Sequence, residues 1–107
     1  MTDAEKIRKC AETMGWSFVD SQTFADGGEW QAAHYETPKG ILFASTYDPL
    51  HNKAQAMELV ERFQLNCNYD GTDGGWLVIP HQIDRAVAEG QSFDLCRAIV
   101  ECVSKLP

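Results

Sequence analysis

The stretch from Tyr47 to Phe63, YDPLHNKAQAMELVERF, constrains this chain more than any other. Asn52 is placed to cap a helix, and Gln55 three residues later completes a capping-box pattern. Ala56, Met57, Val60 and Phe63 recur at three- and four-residue steps and define one apolar side. Lys53, Gln55, Glu58, Glu61 and Arg62 fall mostly away from it. Strand-like segments precede and follow, so the apolar stripe is expected to lie on a sheet. Pro49 closes the preceding strand, because proline has no N–H to offer a ladder.

The flanking elements follow from the same rules. Thr2 and Glu5 form a capping box for a helix over 3–14, with Ala4, Ile7, Ala11 and Met14 on one face and Gly15 as its stop. Alternation predicts a strand over 16–20, a loop over 21–28, and a second strand over 29–36. Thr37-Pro38-Lys39-Gly40 reads as a turn into a third strand over 41–46. After the middle helix come a short strand over 65–69, a hairpin loop over 70–75, and the most apolar strand, Trp76 to Pro80, expected at the sheet centre. The stretch 82–90 fits either a sixth strand near 86–89 or an irregular crossing. Ser92 is placed to cap a last helix over 93–105, whose apolar stripe is Leu95, Cys96, Ile99, Cys102, Val103 and Leu106. Tight hairpins imply antiparallel pairing. The expected fold is therefore α+β: an antiparallel sheet of about five or six strands packed with three helices, in the order α-βββ-α-ββ(β)-α, as one domain over 1–107.

Charge narrows the partners. Lys and Arg number 9 against 16 Asp and Glu, a net −7, which disfavours direct nucleic-acid binding because phosphates require a basic surface. No Lys or Arg lies between Cys10 and Pro38, or between Phe63 and Asp84. If these base-free stretches share a face, it would be steered toward a basic protein partner; if not, the charge serves solubility. No apolar run approaches the roughly 20 residues of a membrane span. The opening MTDAEKIRKC lacks a signal-peptide core, so a cytoplasmic location is expected.

Chemistry-bearing motifs are sparse. The four cysteines, Cys10, Cys67, Cys96 and Cys102, form no Cys-x-x-Cys pair and sit in apolar patterns, so buried free thiols are expected. None lies at an exposed turn or helix start that would favour a thiolate nucleophile. Asn66-x-Asn68-x-Asp70-Gly71 has the start of a calcium loop, but its twelfth position is Leu77 where a bidentate glutamate is needed. His81-x-x-Asp84 supplies two ligand types and no third, and His34 and His51 come from unrelated segments. The glycines of Asp70–Gly75 precede a strand, which is not the layout of a phosphate loop. Neither cofactor nor metal is expected, and no catalytic residue is assigned.

Three sets of residues carry a family resemblance: the opening helix running into Met14-Gly15-Trp16, the crossover Tyr47–Leu50 leading into AQAMELVERF, and the closing helix with its LCRAI core. With these, nearly the whole chain resembles the phage α-β-α sandwich family, small domains of phages and prophages. Its loops at 21–28 and 70–75 are longer than that pattern. The resemblance carries over no catalytic motif. It implies a non-enzymatic accessory protein in a host bacterial cytoplasm that binds a host component. An acidic domain of this kind can occupy a basic groove by imitating phosphate charge, as an inhibitor of a defence complex such as a CRISPR surveillance complex would. The residues expected at that contact are Asp20, Asp26, Glu29, Glu36, Asp70 and Asp73, with Trp30 as an aromatic anchor. The alternatives are a small-ligand or nucleotide binder or sponge, with Arg85 or Arg97 as its positive group, and a phage structural or assembly component with a large apolar contact.

Overall fold

A computed structural model describes residues 2–23, 30–70, 75–80 and 89–106, with the side chains of residues 22, 23, 30, 31 and 70 left aside. Helix α1 spans Asp3–Thr13; the Glu5 N–H donates to Thr2 Oγ1 at 3.2 Å, the expected cap. Gly15 follows at φ +87°, a conformation that costs glycine nothing and leads the chain out of the helix. Strand β1 is Ser17–Val19, β2 is Gln22–Thr23 and β3 is Trp30–Gln31. The second strand expected over 29–36 is broken: β3 pairs with β2, and the chain re-enters a ladder as β4, His34–Thr37. Strand β5 is Gly40–Phe43, after which Ala44–Thr46 forms a 3-10 turn where the expectation continued the strand.

Helix α2 covers Lys53–Phe63, and the Gln55 N–H donates to Asn52 Oδ1 at 3.1 Å. The reciprocal half of the capping box is replaced. Gln55 Oε1 accepts from the Asp48 N–H at 2.6 Å, and Gln55 Nε2 donates to the Thr46 carbonyl at 2.8 Å, clasping the crossover to the helix. Its fully buried residues are Ala56 and Leu59; Met57, Val60 and Phe63 are partly buried around them. Gln64 ends the helix with φ 52°. Strands β6 (Leu65–Asp70), β7 (Gly75–Pro80) and β8 (Gly90–Ser92) follow. Asn66, Asn68 and Asp70 of the calcium-loop pattern lie in the β6–β7 ladder, and Gly71 lies outside the described residues. Helix α3 is Leu95–Ser104, and its cap is Asp94, not Ser92: Asp94 Oδ1 accepts from the Cys96 N–H at 2.9 Å. Carboxylate wins because a charged acceptor at a helix N-terminus makes the stronger bond.

Among the described residues the fold is α+β, with three helices and six main strands in two three-stranded antiparallel sheets, β1-β4-β5 and β6-β7-β8; β2 and β3 form a short ladder of their own. Strand β7 is the centre of its sheet, as its composition predicts. Helix α1 joins two cores. Cys10 belongs to the larger one, with Leu59, Val78, Ile99 and Val103. The next residue, Ala11, belongs to an aromatic one with Tyr35 and Tyr47, flanked by Trp16 and Phe18. The molecule measures 58 × 24 × 23 Å. Helix α3 lies so close to β8 that a Cβ on Gly90 would strike the Ala98 carbonyl oxygen and come within 2.7 Å of the Cys102 nitrogen. No helix among the described residues is long and apolar enough to cross a membrane.

Candidate functional site

Helix α2, the β4–β5 turn and the segment joining α1 to β1 enclose a groove of about 470 Å³, the size of a small-molecule site. Met14, Trp16, Pro38, Ile41 and Leu42 supply its apolar lining; Thr37, Lys39, Tyr47, Gln55, Glu58 and Arg62 supply the rest.

Each wall follows from local sequence. Thr37 and Gly40 are paired across the hairpin, leaving Pro38 and Lys39 as a two-residue loop. Gly40 adopts φ +114°, Thr37 Oγ1 donates to the Gly40 carbonyl at 2.8 Å, and the Lys39 N–H donates to Thr37 Oγ1 at 3.2 Å. Those bonds hold Lys39 at the tip of the turn. On the facing wall, Gln55, Glu58 and Arg62 stand three and four residues apart, which puts them on one side of α2. The aromatic core lies beneath: the Trp16 ring meets Tyr47 edge-on at 5.2 Å, and Tyr47 meets Tyr35 at 5.8 Å. Burial pushes the Tyr47 phenol well above its usual value, so it stays neutral and adds no negative charge. Its hydroxyl is buried with no hydrogen-bond partner among the described residues.

The groove also carries charge. Arg97 forms a two-pronged bond with Asp3 (3.0 and 3.1 Å), Lys6 reaches Glu101 at 2.6 Å, and Arg8 lies 3.7 Å from Glu12. Lys39 and Arg62 have no ion-pair partner among the described residues, and neither has Glu58, although a Glu and an Arg four residues apart on a helix commonly pair. Two cations and one carboxylate without an ion-pair partner among the described residues therefore line one cleft, the Arg62 guanidinium lying 5.7 Å from the centre of the Phe63 ring.

The acidic contact set expected from sequence is placed only in part. Asp20 is exposed just past β1, its Oδ1 accepting from the Ser21 N–H at 2.8 Å. Glu36 is exposed on β4 opposite Ser17, which puts the two about 10 Å apart along the strand direction. Trp30 is described by its backbone, paired with Thr23, and Asp70 by its backbone, paired with Gly75. Asp26, Glu29, Asp73 and Arg85 lie outside the described residues. Arg97, the other expected positive group, is held by Asp3, and that bond holds the Asp3 carboxyl below its ordinary value. Lys39 was legible only as part of a turn, and Arg62 only as part of the helix's polar side.

No cysteine touches the groove. Burial pushes the Cys10 thiol up to about 12 and Cys102 to about 11, and raises Cys67 and Cys96 as well. His34 is buried with Nδ1 3.1 Å from the Ala32 carbonyl, and His51 Nδ1 lies 2.8 Å from Asp48 Oδ2. Among the described residues no three His, Cys, Asp or Glu side chains could hold a metal ion. No family model, curated protein or solved structure matches this chain.

Proposed function

We propose that this chain is a non-enzymatic binding protein and that it takes up a small anionic ligand in the groove between α2 and the β4–β5 turn. The observation that carries this reading is the pair Lys39 and Arg62, both lining one cleft and both without a carboxylate among the described residues of a chain whose net charge is −7. Lys6, Arg8 and Arg97 are paired with carboxylates, while Lys9 and Lys53 are open among the described residues as well, so what distinguishes Lys39 and Arg62 is that both line one cleft. Cations left open beside an apolar lining match the anatomy of a ligand site, in which apolar walls supply burial and a few charged groups supply orientation. The test is a thermal-shift screen of small carboxylates and phosphates against the wild type and the Lys39→Ala/Arg62→Ala double variant. At least one anion should stabilise the wild type and lose its effect on the variant. Anions that shift both proteins equally, or none that shifts either, would sink the reading.

A second reading is favoured by Asp20 and Glu36, which are exposed and have no ion-pair partner among the described residues. On it the chain is a phage-type inhibitor that presents acid to the basic surface of a host protein, in keeping with the family resemblance. Capture from a bacterial lysate separates the two: a basic protein retained by the wild type and lost on Asp20→Lys/Glu36→Lys supports the inhibitor reading.

A further inference from the structure

The groove follows the edge of a strand. Side chains of consecutive strand residues point to opposite faces of a sheet, yet Ile41 and Leu42 both line the groove. A cleft that touches both runs along the rim of β5 and not over one face. Among the described residues β5 is the last strand of its sheet, paired with β4 alone. The ladder fixes which of its backbone groups turn outward. Thr37 and Gly40 close the two-residue turn as a hydrogen-bonded pair, and just past the other end of the ladder the Ala44 N–H donates to the Ala33 carbonyl at 3.0 Å. Gly40, Leu42 and Ala44 therefore face β4, and Ile41 and Phe43 turn their N–H and C=O groups away from it. The Phe43 carbonyl accepts from Thr46 Oγ1 at 2.8 Å, whereas the Ile41 N–H and C=O meet no partner among the described residues. Ile41 is also 56% exposed.

An open edge of this kind takes an extended peptide as an added strand, main-chain bonds giving affinity and alternate side chains giving selectivity. Charge sets the direction. Lys39 stands one residue before β5, exposed and without an ion-pair partner among the described residues. A strand added antiparallel ends beside Lys39 and can bring its terminal carboxylate there; one added parallel begins there and would bring its ammonium. Only the first is attracted. An acidic side chain would leave the added strand sideways, whereas a terminal carboxylate continues along it toward the turn. We infer that the groove binds the free C-terminal end of an extended peptide, added antiparallel to β5 with its carboxylate at Lys39. This step rests on the anion-binding reading and names the ligand. The register follows. The penultimate peptide residue lies opposite Ile41 and exchanges both main-chain bonds with it, and the last residue lies opposite Gly40. The last and third-from-last side chains then fall on the face of Leu42, which packs in the aromatic core beside Trp16. Apolar residues belong at those two positions.

The experiment is isothermal titration of the full chain with the peptide acetyl-Ser-Leu-Ser-Leu carrying a free C-terminus, the same peptide amidated, two N-methylated forms, and acetate. The free acid should bind about tenfold more tightly than the amide, and more tightly still than acetate. N-methylation of the penultimate residue, whose N–H faces Ile41, should weaken binding about tenfold. N-methylation of the third-from-last residue, whose N–H faces away from β5, should change it by less than about threefold. On Lys39→Ala, which keeps the backbone N–H that donates to Thr37 Oγ1, the acid and the amide should bind alike. Equal affinity of the wild type for acid and amide, or N-methylation that acts alike at both positions, overturns the peptide assignment. If small carboxylates or phosphates bind through Lys39 and Arg62 while the peptide binds no better than acetate, the anion-binding reading stands and this inference falls. If no anion binds, the peptide included, both fall.

Discussion

At the scale of single residues, backbone proximity matters more here than side-chain chemistry. Gly90 is the clearest case: a strand residue has no conformational need of glycine, yet α3 passes so close that one methyl group meets helix backbone, which cannot swing aside. Gly90→Ala is expected to cost about 3 kcal/mol or more, the upper range for overpacking a tight site, measured as a lower urea midpoint. The buried thiols give a pH signature. Cys10 and Cys102 have an ordinary value of 9.0 but hold their protons to about 12 and about 11 in the folded protein. Above pH 9 the unfolded chain therefore binds fewer protons than the folded one. Their stabilising contribution is complete below pH 9 and is lost as pH rises through 11 and 12, by up to about 1.4 kcal/mol per pH unit for each thiol. Urea unfolding at pH 8, 9 and 10 should show stability falling slightly over the first interval and about three times as much over the second.

At the scale of elements, α2 organises its surroundings through one amide. Gln55 was legible as the partner in a capping box, but its side chain reaches past the cap to bind Thr46 and Asp48. It thereby fixes the crossover that delivers Tyr47 to the aromatic core and Leu50 to the larger one. Gln55→Ala is expected to destabilise the protein by about 1 kcal/mol, the cost of one part-buried and one exposed backbone group losing their partner. It should also weaken whatever binds the groove that Gln55 lines, and titration of the variant checks both. A more local expectation met a different answer at α3. Ser92 and Asp94 are both good caps; Asp94 takes the helix start with its charged acceptor, and Ser92, at the end of β8, accepts from the Asp94 N–H instead. Likewise the broken strand over 29–36 has no signal in its alternation, because its two halves pair with different neighbours.

At the scale of the whole molecule, a chain of net charge −7 holding an anion at two local cations has a distinctive response to salt. Long-range repulsion opposes the approach of the ligand, and the contact itself is attractive. Raising ionic strength from 0.01 to 0.15 M shortens the screening length from about 30 to about 8 Å. The association rate constant for an anion should therefore rise with salt while the dissociation rate constant also rises, as stopped-flow tryptophan fluorescence would show. A basic protein partner on the acidic surface would behave oppositely, its association slowing as salt is added.

From sequence alone came the three helices, the antiparallel pairing, the α+β class and the free thiols, because periodicity, caps and turns are local and act over a few residues. Tertiary structure alone decided that the strands divide into two sheets and that α1 serves two cores with consecutive residues. It also decided that Lys39 from a hairpin tip and Arg62 from a helix end line one cleft. Pairings such as Ser17 with Glu36 and Trp76 with Ser92, and the convergence of Lys39 with Arg62, join segments well separated in sequence, and no pattern within either segment encodes the other's position.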